Sequence, residues 1–208
     1  MKPTSGPFNI QRLMRALHTY SAMWVLLLLL FFSITGITLN HPGWQSQWGS
    51  YQQLQLLSLP PELDWPELPP EPEQQHWYAQ ELRLWLAQQG VRATEWRYQF
   101  DAEDELLELE FKRPAGYAMA VLEFGSGELE LEQAFAGYLA LANDLHKGRD
   151  AGFVWSLLID LTAICCLLFA LSGFYLLLKS QSMRAIGNTL ALVGGMAAIL
   201  IYLISFHT

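Results

Sequence analysis

Four of the five histidines stand near the ends of long apolar runs: His18 and His41 bracket residues 20–39, His146 precedes residues 153–178, and His207 follows residues 185–206. An imidazole changes charge near neutral pH and offers a ring nitrogen to a metal, so this placement suggests ligands or proton carriers at two faces. Inside the runs the single charged side chain is Asp160. Buried in an apolar medium, a carboxylate needs a proton, water or a partner. Cys165 and Cys166 are adjacent, and neighbours on a helix point about 100° apart, so they read as small packing residues rather than a bridge or a chelating pair. His76 lies beside Trp77 in polar sequence and reads as plain surface.

The elements that must position these groups are membrane spans. Twenty residues at about 1.5 Å of helical rise cover roughly 30 Å, the thickness of the hydrocarbon core. Residues 20–39 meet that length without a charge, 153–178 exceed it with some tilt, and 185–206 are again uncharged. Apolar residues make up 52% of the 208. A cleaved signal peptide fits the first run poorly, because the run is longer than a usual h-region and no small-x-small site follows Leu39. Lys2, Arg12, Arg15, Lys179 and Arg184 flank the spans on one side, which predicts a cytoplasmic N-terminus, with residues 41–152 and the His207-Thr208 end on the opposite side. Nineteen of the 20 acidic residues fall between His41 and Gly152 against seven Lys/Arg, a net charge of −12. That balance excludes nucleic acid as a ligand.

The inserted segment begins with seven prolines in residues 41–73, read as a loop, with Trp44 and Trp48 at the level of an aromatic belt. Residues 74–89 place Trp77, Leu82, Trp85 and Leu86 at helical spacing, closed by Gly90. The period then changes to two over 95–100, 106–111, 117–124 and 128–135, which predicts an antiparallel meander and a small α+β domain. No disulfide framework supports it, so it must hold by its core.

A helix followed by hairpin strands ending in VLEFGSGELE is similar to a PepSY domain. The flanking runs RALHTYSAMWVL, SITGITLNHPGW and LHKGRDAGFVWSLLIDLTAICCLLFALSGFYL resemble those of the short PepSY-associated transmembrane proteins: a Leu-His entry, a Thr-Gly and Leu-Asn-His exit, and a Leu-His-Lys-Gly return. The likeness covers nearly the whole chain. It implies a membrane protein, a three-helix transmembrane bundle with an extracytoplasmic α+β PepSY-like domain inserted between the first and second spans. The segments are a cytoplasmic 1–19, a first span at 20–40, the Pro-rich loop 41–73, the domain at 74–145, a second span with its outer approach at 146–178, a cytoplasmic loop 179–184 and a third span at 185–206. Longer relatives resemble haem-binding siderophore-iron reductases of the bacterial inner membrane. The resemblance therefore implies haem b and electron transfer at the outer face, reducing ferric chelates or a flavoprotein partner, in the manner of a ferric reductase subunit.

A b-type haem takes two axial imidazoles on opposite porphyrin faces, each oriented through its other nitrogen. His41 and His146 are the expected pair, since both stand on the outer side, and His207 arrives at the same face. His18 is separated from His41 by about 34 Å of helix, so its axial partner would come from a second copy of the chain or another residue type. The plainer reading of each is a polar ring at headgroup level or a helix cap. Asp144 and Asp150 would pair with His146, Lys147 or Arg149 as a solvated cluster. Asp160, nearly on the face of His146, is a proton relay or a counter-charge to oxidised haem, or else hydrogen-bonds Ser33, Thr35 or Thr38. Gly36 and Gly173 allow close helix packing or room for a porphyrin edge.

No phosphate loop, nucleophile with a base, covalent-haem motif or flavin or nicotinamide fingerprint is present. The chain thus reads as one component of a carrier series with a protein partner for electron supply or acceptance. The competing reading is a cofactor-free, membrane-anchored module that binds or assembles a redox or transport partner.

Overall fold

In the computed structural model, residues 9–44, 46–59, 70–101, 103–124 and 126–206 are described. His207 and residues 60–69 of the Pro-rich stretch lie outside the described residues. Helix α1 (Ile10–Asn40) leads to strand β1 (Tyr51–Ser58), helix α2 (Pro72–Gln88) and strands β2 (Glu95–Asp101), β3 (Leu106–Arg113), β4 (Gly116–Glu123) and β5 (Glu128–Phe135). Helices α3 (Tyr138–Lys147), α4 (Gly152–Lys179) and α5 (Arg184–Ser205) follow. Three of these, α1, α4 and α5, are long and apolar enough to cross a membrane, and the sheet lies in sequence between the first and second of them. The chain divides into two compact units, Phe31–Ile159 and Met1–Leu30 with Asp160–Thr208.

The first unit is built on a five-stranded antiparallel sheet in the order β1-β5-β4-β3-β2. Alternation decides its two faces. Leu107, Leu109, Phe111, Ala118, Ala120, Leu122, Leu129 and Leu131 turn one way and are buried with Ala79, Leu82 and Leu86 of α2. Each buried leucine contributes about 1.5–3 kcal/mol relative to an exposed one. Helix α2 begins with Pro72, whose missing N–H is not needed in the first turn. It ends as the sequence anticipates: Gly90 takes φ +92°, its N–H meets Ala87 O, and Val91 N–H meets Leu86 O.

The opposite sheet face is open and mostly acidic. By register it carries Glu108, Glu110, Glu123, Glu128, Glu130 and Glu132, with Leu54 and Leu56 of β1 opposite Glu132 and Glu130. Tyr117 Oη donates to Glu132 Oε1 at 2.7 Å and Gln52 Nε2 donates to the same oxygen at 2.8 Å. These bonds favour the carboxylate and hold Glu132 below its ordinary pKa, while the same hydrogen bond pushes the Tyr117 phenol up.

Two elements depart from the sequence expectation. Strand β1 lies within the stretch expected to be loop, and α3 is a separate helix that runs across residues 145 and 146, the expected border between the domain and the approach to the second span. Gly148 at φ +68°, Asp150 at +50° and Gly152 at +76° break the chain between α3 and α4. Strand β1 and α3 also meet at their beginnings, where Tyr138 N–H donates to Trp48 O at 3.1 Å. Gly137 permits this approach, because a Cβ there would lie 2.8 Å from Trp48 O.

Candidate functional site

In the unit Phe31–Ile159, α3 is fastened to the end of α1 by two side-chain hydrogen bonds. Thr35 Oγ1 contacts His146 Nδ1 at 2.6 Å and Thr38 Oγ1 donates to Asn143 Oδ1 at 2.7 Å. The pairs step forward three residues on α1 and back three on α3, so one turn of each helix meets one turn of the other, running in opposite directions. The Thr35 hydroxyl spends its proton on Phe31 O at 2.7 Å. Its oxygen is thereby left to accept from His146 Nδ1. The ring of His146 stands edge-on to Phe32 at 5.1 Å and its Cε1 is 3.6 Å from where a Cβ on Gly36 would be.

The other unit repeats this chemistry with different residues. His18 Nδ1 lies 3.0 Å from Phe169 O, and a carbonyl only accepts, so the proton is again on Nδ1. The ring stacks on Phe169 at 4.4 Å, and the hydroxyl of Ser172 lies 3.4 Å from Nδ1. A Cβ on Gly173 would lie 2.8 Å from His18 Cε1. Each unit thus presents a hydroxyl residue followed by glycine, Thr35-Gly36 or Ser172-Gly173, to a histidine from another helix.

His41 behaves differently. It lies just past α1, is exposed, and stacks on Trp44 at 4.4 Å. It lines a cleft of about 610 Å³ together with Trp44, Thr38, Asn143, Asp144 and Lys147. His146 is turned towards Thr35, Phe32 and Gly36 instead. Asp160 is exposed on α4, while Thr35 and Thr38 are engaged with His146 and Asn143. His207 lies outside the described residues. Among the described residues no group of three or more His, Cys, Asp or Glu side chains is arranged to hold a metal ion.

Three apolar helices and an antiparallel sheet inserted between the first two fit one family model. That model, described as "Putative PepSY_TM-like", matches residues 10–207. The chain belongs to this family. No curated protein and no solved structure matches it.

In this PepSY_TM-like protein the residue that sequence reasoning missed is a polar anchor. It is Asn143, whose signal in the sequence is an amide one helical turn before His146. Asp144, which the sequence analysis named, lies 3.5 Å from Lys147 Nζ and 3.8 Å from Arg149 Nη1, and its carboxylate also accepts from Ala115 N–H at 2.9 Å. It pins the β3–β4 turn, where Ala115 holds φ +57°. The sequence expectation joined this carboxylate to a solvated cluster, and the structure adds the turn.

Proposed function

We propose that this protein is a membrane-anchored PepSY module that docks an extended strand of a partner protein along the free edge of β1. The supporting observation is the edge itself. Strand β1 is eight residues long, YQQLQLLS, with no charge and no proline, and only β5 pairs with it among the described residues. Leu54 and Leu56 are 60% and 74% exposed. Natural sheets blunt such edges with Lys, Pro or bulges because open ladder groups recruit other strands. An unblunted edge suits strand addition, in which the main chain supplies affinity and alternate side chains supply specificity. Glu130 and Glu132 flank the two leucines on the open face, so the fitting strand alternates apolar residues with Lys or Arg.

A photo-crosslinking residue at Gln55 tests this in cells. The expected result is one discrete adduct that disappears when Leu54→Lys and Leu56→Lys are introduced together or when Gln53→Pro removes a ladder donor. An adduct unaffected by all three substitutions overturns the reading.

Haem-assisted electron transfer is the second reading, and one observation favours it: His18 and His146 each hold Nδ1–H against a protein oxygen, the arrangement that orients imidazole ligands for a metal at Nε2. Haem would supply one-electron chemistry at such a nitrogen. The donor set fits one axial imidazole at a time, because His41 faces the cleft beside Trp44 while His146 is turned to Thr35. A second axial nitrogen would come from a second copy of the chain. A reduced-minus-oxidised absorption spectrum of protein purified from haem-replete cells decides: a b-type band lost in His146→Ala or His18→Ala supports this reading, and a colourless protein sinks it.

A further inference from the structure

We propose that the face of α4 centred on Asp160 receives a membrane-spanning helix of a partner protein that carries a lysine or arginine at matching depth. Asp160 lies eight residues past Gly152, roughly 12 Å of helix into the span, well inside a hydrocarbon core of about 30 Å. Ionisable groups at such depth face a bundle interior or a water-filled cavity and pair there. Asp160 does neither: it is exposed and makes no hydrogen bond or ion pair among the described residues. Around it on successive turns stand Ser156, Leu157, Ala163 and Ile164, every one exposed. The two small residues permit close backbone approach and the two large ones supply packing, the composition of a helix–helix contact in lipid.

The countercharge identifies the occupant. A second copy of this chain cannot supply it within the bilayer, since residues 20–39, 153–178 and 185–206 contain no Lys or Arg. A self-associated pair would instead set Asp160 near Asp160, two like charges in a medium of low dielectric. A foreign span with one basic residue satisfies the carboxylate and covers the apolar face in the same step. The proposal deepens the docking reading by naming a second contact of the same partner, and it is separable from it because β1 takes no part.

The test uses the full chain, fluorescently labelled and reconstituted in phosphatidylcholine vesicles, with synthetic leucine-alanine spanning peptides carrying either one Lys or Leu at the matching depth. Energy transfer reads association. The Lys peptide is expected to associate about tenfold more tightly than the Leu peptide. That advantage should vanish in Asp160→Asn and Asp160→Leu, and persist in Ile199→Ala on α5 and in the Leu54→Lys, Leu56→Lys double variant. Equal association of the two peptides, an advantage that survives Asp160→Asn, or Asp160-dependent self-association without peptide would each overturn the proposal. Loss of strand docking at β1 with the Lys preference intact would overturn only the β1 reading.

Discussion

His18 and His146 are held through the same nitrogen but against glycines of unequal tightness, and this difference predicts opposite responses to one added methyl. At Gly173 a Cβ would lie 2.8 Å from His18 Cε1, so Gly173→Ala displaces the ring from Phe169 O and costs about 1–3 kcal/mol. At Gly36 the corresponding distance to His146 is 3.6 Å, an ordinary contact. Gly36→Ala is therefore neutral or stabilises by up to about 1 kcal/mol through helix propensity. Thermal unfolding of the two variants in detergent checks the order, and Gly36→Ala falling below Gly173→Ala would contradict it. The Tyr117–Glu132 pair gives a pH dependence. Glu132's folded pKa is lowered, so its contribution is present above the unfolded value of 4.5 and is lost as pH falls through the folded value. Tyr117's is raised, so its contribution is present below 10.0 and is lost as pH rises through the folded value. Tyr117→Phe should move the NMR titration midpoint of the Glu132 carboxyl upwards, with Gln52 still holding part of the shift. An unmoved midpoint would show that the phenol is not the main cause.

At the scale of elements, the sequence was most legible where a single period ruled. Residues 128–132 alternate strictly and open β5 at the expected residue, and the helical spacing of Leu82 and Leu86 places both in the core against the sheet. Leu82→Ala should accordingly cost about 2–5 kcal/mol in denaturant unfolding, whereas the same change at the exposed Leu84 should cost little. Strand β1 was illegible for a physical reason: leucines at 54, 56 and 57 break the alternation, glutamines fill the rest, and prolines crowd the residues that follow. Its pairing with β5 is a long-range contact that no local pattern announces. Helix α3 carried its own signal, the glycine after Leu-His-Lys, but its first eight residues read as the end of the inserted domain and its last two as the outer approach to the second span. With His146 assigned to the outer approach of a span, the expectation paired it with His41, and the one-turn match of Thr35 and Thr38 to His146 and Asn143 could not be seen.

For the whole molecule, three apolar helices, an acidic inserted segment and basic flanks accord with the family's membrane association. The basic flanks argue for a cytoplasmic N-terminus and an inserted domain outside. Single cysteines in a Cys165→Ala, Cys166→Ala background test this. A membrane-impermeant maleimide added to spheroplasts should label Ser126→Cys, and should label Ser182→Cys only after permeabilisation. The reverse pattern would invert the orientation. The bond from Tyr138 to Trp48 has a mechanical corollary. Strand β1 starts three residues after Trp48, and α3, which starts at Tyr138, is clamped to α1 by Thr35 and Thr38. A load on the edge strand therefore has a short, stiff route to a membrane-embedded helix, and whatever tugs on β1 tugs on the lipid-facing anchor as well.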